Sequence, residues 1–172
     1  MKITDNQNEL FDIVDENDKV IGQATRGEVH RNKNLIHRSI GVCVFNSQGE
    51  MYLQKRSSTK DTDPGKWTIA CSGHVLSGDS YQVTAVRELK EELGVNLKLE
   101  FVTKYLCRAS KETEMSVLYK AYSDGPFKLH PQEIEEGKFY TQKELKEASE
   151  KKKIELSFMG QVALEKMGWF GC

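Results

Sequence analysis

The stretch "GHVLSGDSYQVTAVRELKEELGV", Gly73 to Val95, constrains this chain more than any other. Tyr81, Ala85, Leu89 and Leu93 recur every four residues, the spacing of one buried helical stripe. Asp79 or Ser80 supplies an N-cap, with Gln82 three residues beyond Asp79 as a capping box requires. Gly94 suits the residue that terminates a helix. With the inner face fixed, Glu88, Glu91 and Glu92 share one outer face, because positions i, i+3 and i+4 are neighbours. The simplest account of such a run is a solvated acidic face, with Arg87 pairing Glu91. Three features count against it. The face follows closely on a loop containing Gly73 and Gly78, the apolar stripe fixes its position, and nearby lysines are too few to cancel its charge. Hard divalent cations seek such carboxylate clusters, and Mg²⁺ commonly bridges one or two carboxylates to substrate phosphates. The cation relieves the mutual repulsion and keeps the group ionised.

The rest of the chain frames that helix. "LFDIVD" and "KVIGQA" around the turn "ENDK" read as a β-hairpin, and "SIGVCVFN", "SQGE" and "MYLQKR" as a second. "STKDTDPGK" is a polar loop before Trp67. "LKLEFVTKYLC" and "MSVLYKAYS" read as strands, "TQKELKEASEKKK" and "SFMGQVALEKM" as helices. This interleaving lacks a strict βαβ rhythm. The fold expected is α/β (α+β): one domain over 1–172, a mixed β-sheet sandwiched between helices, with an N-terminal β-hairpin extension over about 1–35 and C-terminal helices over about 141–168.

With 38% hydrophobic and 30% charged residues, the composition is that of a soluble globular protein. A net charge of −1 argues against nucleic-acid polymers and anionic membranes as partners. "MKITDNQNEL" lacks a signal-peptide core and no apolar run is long enough to span a bilayer, so the expected location is the cytoplasm. Cys43, Cys71, Cys107 and Cys172 form no CxxC pair, which argues for free thiols.

The Gly73–Val95 stretch resembles the Nudix box: Gly, five residues, Glu, seven residues, Arg-Glu, an apolar residue, any residue, Glu-Glu, any residue, Gly, an apolar residue. Gly73, Arg87, Glu88, Leu89, Glu91, Glu92, Gly94 and Val95 fall in place, and Asp79 replaces the first Glu. The resemblance implies a Nudix fold and hydrolysis of a nucleoside-diphosphate-type or other organic diphosphate. It makes Glu88, Glu91 and Glu92 ligands for Mg²⁺ or Mn²⁺, and has Arg87 orient them by ion pairing.

"FDIVDENDKVIGQATRGEVHR", "LIHRSIGVCVFNSQGEMYLQKRSSTKDTDPGKWT" and "SGHV" further resemble the branch that includes isopentenyl-diphosphate isomerase, over about residues 10 to 140. That likeness implies a second metal site, for Zn²⁺ or Mn²⁺, from His30, His37, His74, Glu112 and Glu114, with Glu114 also in the catalytic set. It places Arg56, Lys60 and Trp67 at substrate-binding positions, the two cations for phosphate oxygens, while the Trp67 indole reads on its own as a packing residue. Three isomerase features are missing. Ser72 stands at the catalytic cysteine, Cys107 at the catalytic tyrosine, and Glu88 replaces a basic residue, which restores the hydrolase cluster. Hydrolysis is therefore the expected activity, with isomerisation of isopentenyl diphosphate and a non-catalytic metabolite-binding module as alternatives. Assembly as a homodimer is left open.

Overall fold

A computed structural model describes residues 5–170; Met1–Thr4 of the N-terminal stretch and Cys172 lie outside them. The elements run β1 (Leu10–Val14), β2 (Val20–Thr25), α1 (Arg26–Val29), β3 (Ile36–Phe45), β4 (Met51–Arg56), β5 (Trp67–Ile69), β6 (Cys71–His74), α2 (Tyr81–Leu93), β7 (Glu100–Arg108), β8 (Thr113–Tyr122), β9 (Ile134–Tyr140), α3 (Gln142–Glu150) and α4 (Phe158–Lys166). The strands form one mixed sheet built around β3. Along one edge β3 meets β1, then β6, then β4, all antiparallel. Along the other it pairs in parallel with β8 over its whole length. From Ile40 to Phe45 β3 is apolar on both faces, as a strand buried on both sides should be.

Those two faces carry two cores. Ala85, Leu89 and Leu93 of α2 pack on Ile40, Val42, Cys71 and Val117. Leu145 of α3 and Ala163 and Leu164 of α4 pack on Cys43, Leu53, Ile69 and Leu118. The sheet therefore lies between helices, as expected. Both hairpins form, β1 with β2 and β3 with β4.

Ser80, rather than Asp79, caps α2: its hydroxyl accepts from the Val83 N–H at 3.2 Å. Gly94 closes the helix with φ 71°, a left-handed conformation that glycine adopts without strain. Replacing Ser80 by Ala should cost about 1 kcal/mol of stability by denaturant unfolding. An unchanged midpoint would show that the hydroxyl does not hold the helix start. α3 ends at Glu150, before the Lys151–Lys153 run that the sequence placed in it. Four elements escaped the sequence reading: the one-turn α1, the short strands β5 and β6, and the strand β9, which pairs with β4. Among the described residues no helix is long and apolar enough to cross a membrane.

Candidate functional site

Glu88, Glu91 and Glu92 line a cavity of about 850 Å³ beside β6. Glu92 is 6% exposed, and one of its oxygens accepts a 2.6 Å hydrogen bond from the Gln54 amide on β4. Burial, then the charge of Glu88, pushes the Glu92 acid up to about 8. Burial also raises Glu88. Carboxylates such as Glu88 and Glu92, drawn partly or wholly out of water, are stabilised in their ionised form by a cation. Gly73 makes room for it, since a Cβ there would stand 2.8 Å from Glu88 Cδ. Gly73→Ala should leave the fold intact, because the flexible Glu88 side chain gives way. Turnover should fall several-fold by initial rate, and a wild-type rate would show that the seat of Glu88 does not matter.

Arg87 meets Glu88 at 3.3 Å, the expected orienting contact, and Asp79 at 2.6 Å. The helical i, i+4 pairing with Glu91 is not what forms. A charge-assisted bond to the loop carboxylate takes the guanidinium instead. Asp79 thus holds Arg87.

A second cluster borders the same cavity. Register places it: His37 on β3 lies opposite Glu114 on β8, and Ser39 lies opposite His74 on β6. His30 follows α1, and Glu112 precedes β8. His30 Nε2 is 2.9 Å from Glu112 Oε2, and His74 Nε2 is 3.1 Å from Glu114 Oε1. His37 Nε2 is 3.7 and 3.8 Å from the two carboxylates. One ligand atom from each of His30, His37, His74 and Glu112 lies within 4.8 Å of the others. Phe11 lies against the His37 and His74 rings, centroids 5.5 and 5.0 Å away.

This donor set fits a metal ion. Both His37 nitrogens and Glu114 Oε2 are buried without hydrogen-bond partners, a costly arrangement that coordination satisfies. Burial, then His74, lowers the His37 imidazole to about 3, so it is neutral, the ligating form. Burial works against charge on His30, but Asp61 and Glu112 outweigh it and raise the ring to about 9. Mixed imidazole and carboxylate donors suit Zn²⁺ or Mn²⁺.

Arg56 and Lys60 also line the cavity, Lys60 with its ammonium bonded to Asp5 and Glu133. Trp67 does not reach it. That indole packs edge-on against Tyr140 and borders a separate depression of about 500 Å³ with Lys55 and Ile154. Its apolar bulk is held by the core on the α3–α4 side, which removes it from the substrate-binding set. Ser72 lines the cavity, whereas Cys71 is fully buried beneath α2. The sequence reading missed Arg26, Gln54, Asp61, His130 and Glu133. They come from three separate stretches of the chain and match no motif, so only the fold reveals them.

A mixed sheet between helices, with a cleft bordered by a carboxylate-bearing loop–helix segment, defines the class, and the comparisons agree. Residues 35–158 match the NUDIX domain, and the chain belongs to that family. An uncharacterized Nudix hydrolase of Pseudomonas aeruginosa is 36% identical over 132 residues, 76% of this chain and 78% of its own length. An isopentenyl-diphosphate Delta-isomerase of Serratia proteamaculans is 33% identical over 130 residues, 73% of this chain and 72% of its own. A crystal structure from Deinococcus radiodurans superposes with a TM-score of 0.77 at 24% identity, covering 94% of this chain and 99% of that one, which supports the fold. The relatives thus include both hydrolases and isomerases by name, consistent with an isomerase-like Nudix branch.

Proposed function

We propose that this protein is a divalent-metal-dependent hydrolase that cleaves the linkage of a nucleoside-diphosphate-type or other organic diphosphate. The observation that carries this reading is the Glu88–Glu91–Glu92 face at the cavity, with Glu92 buried and bonded to Gln54. Mg²⁺ or Mn²⁺ held by these carboxylates supplies charge neutralisation and an activated water when bound. The chain's own residues do the remaining work. Arg87 fixes Glu88 through its ion pair. Arg56 and Lys60 line the cavity wall and would meet phosphate oxygens, Lys60 by exchanging its Asp5 and Glu133 partners for them. A box carboxylate accepts the proton of the attacking water. The water oxygen bonds to phosphorus, the bridging P–O bond breaks, and the departing phosphate keeps the electron pair. His30, His37, His74, Glu112 and Glu114 would hold a second ion, Zn²⁺ or Mn²⁺. A phosphate-release screen over nucleoside and isoprenoid diphosphates tests the reading. Turnover should require Mg²⁺ or Mn²⁺ and stop with chelator; no turnover of any substrate with either metal would sink it.

The imidazole cluster is the one observation that favours isomerisation of isopentenyl diphosphate instead. That reaction adds a proton at one carbon and removes one from another, and each step needs a positioned group of suitable pKa. A serine hydroxyl at position 72 is a poor proton donor compared with a thiol. Cys71 does not replace it: the thiol faces the other way along β6, and burial followed by the box carboxylates raises it well above its usual range. The wild type should therefore exchange little solvent deuterium into isopentenyl diphosphate, and Ser72→Cys should exchange more. Wild-type isomerisation above roughly 1 s⁻¹ would promote the isomerase reading.

A further inference from the structure

We propose that Asp61, clamped by Arg26, is a positioning residue that aims His30 and offsets the cation beside the imidazole cluster, tying the N-terminal segment into the metal centre. This rests on the reading of His30, His37, His74, Glu112 and Glu114 as that centre. His30 precedes the residues that match the NUDIX domain, 35–158. It follows a helix of only four residues, too short to hold a side chain by itself. What stands behind the ring is Asp61, from the loop between β4 and β5. Asp61 Oδ2 is 3.5 Å from His30 Nδ1, while His30 Nε2 faces Glu112 at 2.9 Å. A carboxylate behind a ligating imidazole fixes its orientation and strengthens it as a donor.

Asp61 is itself held. Arg26 donates to both of its oxygens, Nε to Oδ2 and Nη2 to Oδ1, each at 3.0 Å. Gln7 donates to Oδ2 at 3.2 Å, and the Asp61 N–H donates to Asp5 at 2.9 Å. Arg26 is only 7% exposed, and its Nη1 stands 3.0 Å from His74 Nδ1. A guanidinium so near the imidazoles repels an incoming cation unless a carboxylate offsets it. Asp61 provides that offset. Asp5 and Glu9 lie farther from Arg26, at 3.6 and 3.4 Å.

The test is a double-mutant cycle on metal affinity, read by chelator competition with Zn²⁺ and with Mn²⁺. Asp61→Asn should weaken binding about 10- to 100-fold. In a His30→Ala background, where the ring it aims is gone, the same change should cost markedly less. An Asp61 that merely anchors the chain would weaken binding by one factor in both backgrounds, and that result overturns the proposal. If Asp61→Asn leaves Arg26 uncompensated and unfolds the protein, the paired change Arg26→Met with Asp61→Asn removes both buried charges together. That variant should unfold near the wild-type denaturant midpoint yet bind metal at least about tenfold more weakly. Wild-type affinity in it overturns the proposal alone. A wild type that binds neither ion sinks the metal-centre reading and the proposal with it.

Discussion

Glu92→Gln should lower hydrolysis of the best substrate by at least about tenfold, ~1.4 kcal/mol of barrier, while the fold survives. The amide has nearly the shape of the carboxylate, and its oxygen still accepts from Gln54. What it loses is the negative charge that a cation needs. The metal-free variant should be as stable as the wild type or slightly more so. Burial beside Glu88 raises the Glu92 acid to about 8, so at neutral pH folding of the metal-free protein must protonate it, a cost that a neutral amide avoids. A variant that lost activity by unfolding would show a lowered denaturation midpoint, so the two causes separate. Wild-type turnover by Glu92→Gln would mean that α2 does not hold the catalytic metal.

His74→Ala should release the second ion. Protein purified without added metal and analysed by mass spectrometry should carry Zn²⁺ or Mn²⁺, and the variant should carry far less. His74 Nε2 sits 3.1 and 3.6 Å from the two carboxylates, so removing it deletes a donor at the middle of the cluster. The remaining imidazoles do not compensate, because His30 and His37 are fixed on a separate segment and strand. Metal content unchanged by the substitution would return these histidines to a structural role.

The two halves of the site were legible to different degrees for a physical reason. Glu88, Glu91 and Glu92 lie within a single helix, so the four-residue recurrence of Ala85, Leu89 and Leu93 fixes which way they point. His30, His37, His74, Glu112 and Glu114 converge only because β3 pairs with β6 on one edge and β8 on the other. No local pattern encodes that pairing, and only the likeness to the isomerase branch brought those residues together beforehand. Asp61 and Arg26 had no such likeness to announce them. Arg87 shows local reasoning outvoted: its helical partner Glu91 was in reach, but the loop folds Asp79 against it. β9 escaped because its burial scarcely alternates and Gly137 interrupts it, both poor strand signals. Trp67, matched by likeness to the substrate side, was claimed by the core around Tyr140.

Phosphorus NMR of the wild-type protein with a panel of organic diphosphates, run with and without Mg²⁺, separates metal-dependent hydrolysis from every other activity of the site. The diphosphate resonances of at least one substrate should be replaced by monophosphate resonances, only when the metal is present. Diphosphates that all stay intact with Mg²⁺ and with Mn²⁺, while isopentenyl diphosphate is isomerised in the same tube, would contradict the hydrolase reading.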